Sequence, residues 1–347
     1  MVGVCAAVLL VAGCSDNAHE TVTSASAPVR VAIDARAVSA DATTSTAPPV
    51  TSPSVSTGGL WFTPKRITAG AGGTLVTGLG GVARVTPSGM SAVLRAPNIN
   101  AALAAAGETW LAYTEPNDDG HRLVVGAIGA DGAASPRFEV PGRVDDPFVR
   151  ASISAAGDYL AFLWRMPSGS NWNPGRLVVS GDGGMSFAPV DTPSGGGIAI
   201  SPSGSAVIVG GPGHDQIFAS ANVLTEAFVD VTPRLTADQM FHDPIYVNGR
   251  FFALQVSRTT NPNVNTVISS RDNGISWVHS GFAGNTPLQL DLGMFQIASA
   301  DGNAVSTLST SDACAGFKSG CTHTVAVRYS ADAGKSFQTV ASYVTPG

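Results

Sequence analysis

Read for apolar and polar positions, the chain is a succession of short apolar runs broken by Gly, Pro, Asn, Asp and Ser, without a long stretch of helical periodicity. Tyr159-Leu-Ala-Phe-Leu-Trp164 and Arg250-Phe-Phe-Ala-Leu-Gln-Val256 read as inner strands. Arg176-Leu-Val-Val179 and Thr324-Val-Ala-Val-Arg328 read as the third strands that follow them. The expected class is all-β. A composition with 40 Gly and 22 Pro agrees with many short strands joined by turns.

Repetition organises these strands. Ser180-Gly-Asp182-Gly-Gly184-Met-Ser186-Phe187, Ser270-Arg-Asp272-Asn-Gly274-Ile-Ser276-Trp277 and Ser330-Ala-Asp332-Ala-Gly334-Lys-Ser336-Phe337 share the pattern Ser-x-Asp-x-Gly-x-Ser-aromatic. An Asp can accept N–H bonds inside its own turn, Gly can take positive φ, and the aromatic re-enters the core. Weaker copies lie at Thr86–Gly89, Gly129–Ser135 and Ser220–Phe228. The pattern resembles the Asp box (BNR repeat) of sialidase-like β-propellers, where it joins the third and fourth strands of a blade. The resemblance implies a structural role for Asp182, Asp272 and Asp332 on the face away from the active site. With turns near 88, 131, 182, 222, 272 and 332, it predicts six blades, with seven as the alternative, over 59–347. The expected ranges are 60–96, 97–142, 143–193, 194–236, 237–283 and 284–345.

Ahead of this body the chain begins with an apolar run too short to span a bilayer, ending Leu10-Val11-Ala12-Gly13-Cys14. It resembles a bacterial lipobox, which implies a signal peptide over 1–13 and a lipid on Cys14. Residues 14–58, rich in Ser, Thr, Ala and Pro, then read as a disordered tether. With Cys5 removed and Cys14 lipidated, Cys314 and Cys321 remain as an even pair in an exported protein, and a disulfide is expected. Zinc would need about four ligands, and only His323 lies close by in sequence, so no metal and no cofactor is expected.

A net charge of −6 without any Lys/Arg cluster argues against nucleic acid. If the Asp turns mark the lower face, first-strand starts and second-to-third loops lie above. That sorting selects Arg66, Asp145, Asp146, Arg165, Trp172, Arg176, His242 and Asp243 as candidate ligand-binding residues. Asp146-Pro147 and Asp243-Pro244 also read as plain strand-start punctuation. The Trp172 loop offers an aromatic platform between Arg165 and Arg176.

Sialidase chemistry, as the resemblance implies it, takes three arginines on a substrate carboxylate, a Tyr activated by Glu, and an Asp acid/base. Pro64-Lys65-Arg66-Ile67-Thr68 keeps only Arg-Ile of the family's Phe/Tyr-Arg-Ile-Pro motif, and Arg66 to Gly107 contains no Asp or Glu. No catalytic residue is therefore assigned. The sequence reading is a monomeric propeller, anchored at the outer membrane or cell surface, that binds a glycan or protein partner on its upper face. A diverged glycoside hydrolase is the alternative, and it needs two carboxylates about 5–10 Å apart.

Overall fold

The computed structural model describes residues 63–129, 132–147, 149–166, 175–211, 215–235, 239–257, 264–290, 294–316 and 319–346. All fall within one compact unit, Val31–Gly347. The signal segment 1–13, the tether 14–58 with Cys14, and Trp172 lie outside the described residues.

The described strands form six antiparallel sheets in chain order. The first is β1 (Thr63–Gly70), β2 (Gly73–Leu79), β3 (Gly81–Thr86) and β4 (Gly89–Arg95); the second is β5 (Ile99–Ala105), β6 (Glu108–Asn117), β7 (Gly120–Ile128) and β8 (Ala134–Val144). The third is β9 (Ala151–Ala156), β10 (Tyr159–Arg165), β11 (Gly175–Ser180) and β12 (Ala188–Val190); the fourth is β13 (Gly197–Ile200), β14 (Ala206–Gly210), β15 (Gln216–Ser220) and β16 (Val229–Asp230). The fifth is β17 (Gln239–Val247), β18 (Arg250–Ser257), β19 (Val264–Ser270) and β20 (Val278–His279), with β21 (Gln289–Leu290) also paired to β19. The sixth is β22 (Met294–Ser299), β23 (Val305–Gly316), β24 (Ser319–Ser330) and β25 (Gln338–Pro346).

First strands touch in a closed cycle, β1 to β5, β9, β13, β17, β22 and back to β1. The fold is a six-bladed β-propeller.

A blade is covered on both faces by its neighbours, so its middle strands do not alternate apolar with polar. The centre of β10, Leu160 to Trp164, is buried without a break. Six apolar clusters fill the six seams between blades. The one joining blades 2 and 3 is the most aromatic, with Trp110 edge-on to Phe162 and Phe187 at ring-centre distances of 6.2 and 6.0 Å.

The three Ser-x-Asp turns join third to fourth strands. Ser180 Oγ donates to Asp182 Oδ1 (2.8 Å) and accepts from Gly184 N (2.8 Å), while Ser186 donates its N–H (2.9 Å) and Oγ–H (2.5 Å) to Asp182. The same bonds recur around Asp272 and Asp332. The turn glycine is required twice over at Gly274. Its φ is +88°, and a Cβ there would stand 2.5 Å from Val207 of the preceding blade. The turn thus locks its own loop and packs against the neighbouring blade.

Each blade is built from consecutive strands, so closure between blades 1 and 6 relies on side chains. Ile67, Val76, Ala83 and Val85 pack against Ala298, Leu308, Val325 and Val327. Gln296 ties the inner strands: its Oε1 accepts from Ile67 N (2.9 Å) and its Nε2 donates to Lys65 O (3.0 Å). In blade 6 the register sets Cys314 opposite Cys321 on β23 and β24. The side chains of that pair lie outside the described residues.

Candidate functional site

First-strand starts and second-strand ends converge on the axis, on the face opposite the Ser-x-Asp turns, around a funnel of about 840 Å³. Its cations are Lys65 and Arg66 from β1, Arg150 from the crossover before β9, and Arg165 at the end of β10. Asp243 is the one carboxylate among the described lining residues, with His242 beside it on β17. Gly195, Gly196 and Gly197 leave one wall bare of side chains; Asn100, Gln296 and Thr310 add polar groups.

Local backbone irregularity aims several of these residues. The ladder slips between Pro64 and Arg66, between Ile99 and Ala101, and between His242 and Ile245. Such bulges re-aim a side chain at the cost of ladder bonds. At the third, Asp243 takes φ +44°, a left-handed conformation that only surrounding structure can hold. Pro244 follows it, and lacking an N–H it forfeits no ladder bond in the bulge.

On the floor, Arg66 Nη2 donates to Asp243 Oδ1 at 3.5 Å, with both side chains about 15% exposed. A smaller space of about 50 Å³ lies below, and the same two residues line it as well. Burial lowers the Arg66 pKa, Asp243 opposes that shift, and the Arg150 charge lowers it again. Arg165 is lowered by burial and by Arg150. Asp243 is pushed up to about 7, because burial outweighs the Arg66 charge. Its Oδ2, like Asn100 Oδ1, is buried without a hydrogen-bond partner among the described residues.

Arg66, Arg165, His242 and Asp243, four of the residues selected from sequence, therefore line one funnel. Asp145, Asp146 and Arg176 do not. The crossover from β8 to β9 runs from the rim to the axis. Asn100 Nδ2 and Thr114 Oγ1 hold its Pro147 carbonyl (3.1 and 2.7 Å), so Asp145 and Asp146 stay exposed on the rim side while Arg150 arrives at the axis. Arg176 lies against Gly142 on the flank of blade 2, about 3.5 Å from where that glycine's Cβ would stand. Sequence reasoning missed Arg150. The available signal was its place just before an inner strand, since Arg150 directly precedes β9.

No protein-family profile matches the sequence, and no curated protein matches it. Among solved structures, the chain is similar to a GH74 xyloglucanase from Xanthomonas campestris (14% identity, TM-score 0.35), covering 77% of this chain and 53% of that one. An acylaminoacyl peptidase from Pyrococcus horikoshii matches at 10% identity and TM-score 0.44, over 81% of this chain and 45% of that one. The WD40 domain of SCAP from fission yeast matches at 10% identity and TM-score 0.36, over 80% and 83%. The chain spans about half the length of the xyloglucanase. These likenesses concern the fold alone.

Proposed function

We propose that this protein is an Asp-box propeller that binds an acidic ligand, a carboxylate-bearing glycan or an acidic peptide segment, in the upper funnel. One observation carries the reading. A chain with net charge −6 gathers Lys65, Arg66, Arg150 and Arg165 around a concave site where Asp243 is the one carboxylate among the described lining residues. Low-dielectric walls focus such a field on an anion, and guanidinium groups suit planar carboxylates. The test is titration with glucuronate, N-acetylneuraminate and acidic peptides against glucose and neutral peptides. Acidic compounds should bind, and Arg150→Ala should weaken them by about 1–3 kcal/mol. Equal binding of neutral and acidic compounds would overturn the reading.

We further propose that the protein acts at the bacterial envelope, held by a lipid on Cys14 and the 14–58 tether, with Cys314 and Cys321 bridged. A second reading, a diverged glycoside hydrolase, is supported by Asp243 alone, a largely buried carboxyl pushed up to about 7 as suits a general acid; the second carboxylate that this reaction needs is not among the described lining residues. Turnover of aryl glycosides that Asp243→Asn abolishes would favour it over binding alone.

A further inference from the structure

Arg66 is aimed into the funnel, yet it is occupied by an internal carboxylate. The chain accepts a bulge, a left-handed φ at a non-glycine residue and an oxygen buried without a hydrogen-bond partner among the described residues to place Asp243 there. Those costs are not explained by the packing of β17, since an uncharged residue would avoid all of the desolvation. The remaining explanation lies in what Asp243 does to Arg66.

We infer that Asp243 is a resident counter-ion of the anion site. It holds Arg66 while the funnel is empty and yields it, on taking a proton, to an incoming ligand carboxylate, so that binding is coupled to proton uptake. This rests on the anion-binding reading above. In the exchange the ligand carboxylate replaces Asp243 Oδ1 at the guanidinium, one proton from solvent closes on the Asp243 carboxyl, and no covalent bond to carbon changes. The charge at the floor is thereby kept balanced. Without that proton, two carboxylates would share one buried arginine, and like charges at that range disfavour each other's ionisation.

The surroundings agree. Lining the same funnel as Asp243 are Arg66 and Lys65 from β1, Arg150 from the crossover, Arg165 from β10 and His242 on its own strand, while Gly195 and Gly196 before β13, Gly197 at its start and Gln296 of β22 bring no charge; of these charges it is Arg66 that acts on Asp243. The proton affinity of Asp243 already sits near neutrality, at about 7, so the exchange falls within an ordinary pH range. His242, next to it on β17, supplies the control substitution.

The experiment is calorimetric titration with D-glucuronate from about pH 6 to pH 8 in two buffers of different ionisation enthalpy. The parent should take up close to one proton per ligand at the upper end and lose roughly tenfold in affinity across the range, as follows from one group titrating near 7. Asp243→Asn should bind with a flat pH profile and no proton uptake, and His242→Gln should keep the parent's pH response whatever it does to affinity. A pH response that persists in Asp243→Asn, or that disappears in His242→Gln, overturns the switch and leaves the anion site standing. Failure of glucuronate, of N-acetylneuraminate and of the acidic peptides alike to bind the parent at any pH overturns both.

Discussion

At the scale of single residues, most of the structural information lies in three carboxylates whose partners are all within four positions in sequence. The Ser186 hydroxyl and N–H and the Ser180 hydroxyl hold the Asp182 carboxyl down to about 2. Partial burial pushes Asp272 up, but the donors on Ser276 and Ser270 outweigh it and leave it below its ordinary value. Asp272→Ala should therefore destabilise the protein by about 1–3 kcal/mol at neutral pH, because two serine donors and a backbone N–H lose their acceptor. The sign of the pH effect follows from the depressed folded-state value: the contribution is present above the unfolded carboxylate pKa of about 4 and is lost as pH falls below it. Denaturant unfolding from pH 7 to pH 2 should show the gap between parent and variant narrowing only at the acid end. A constant gap would mean that the variant acts through something other than the carboxylate. Asp243 runs the other way, since its folded-state value is raised; its ionisation costs the fold stability as pH climbs from about 4 to about 7.

At the scale of elements, the turns, the blade boundaries and the middle strands were legible because each depends on local or nearest-neighbour rules. Blades 1, 3 and 4 lie inside the ranges expected from turn spacing, and blades 2 and 6 end within a few residues of theirs, whereas blade 5 runs past its expected end at 283 because β21 pairs back to β19. The seam between blades 1 and 6 was not legible. It joins Ile67 and Lys65 to Gln296 across more than 200 positions, and a lone Gln carries no sequence signal for such a contact. Gln296→Ala should loosen that seam, lowering stability by about 1–3 kcal/mol, with faster amide exchange at Ile67 than at inner strands of other seams. Uniform exchange along all six inner strands would show that closure is carried by the apolar cluster alone.

At the scale of the whole molecule, the proposed lipid on Cys14 and the proposed Cys314–Cys321 bridge are tested on the exported protein. Intact mass of the exported, non-reduced protein should show a diacylglyceryl adduct on Cys14 and no free thiol at Cys314 or Cys321, and Cys14→Ser should leave the protein soluble. Membrane retention of that variant would point to a protein partner as the anchor.

The candidate site was legible only in part. Arg66, Arg165, His242 and Asp243 were reachable from sequence, because a repeat with a known up-and-down order tells which ends of strands share a face. The separation of Arg150 from Asp145 and Asp146 was not, since all three lie within six positions and differ only in how far the crossover has travelled from rim to axis.

What the sequence determined by itself is the repeat: six turns between third and fourth strands and the apolar runs that flank them, set by interactions within a turn or between consecutive strands. What only the tertiary structure decided is the pairing of Arg66 with Asp243, 177 positions apart. Closing the ring makes neighbours of residues that no local rule relates, and a buried charge acquires its chemistry from neighbours of that kind.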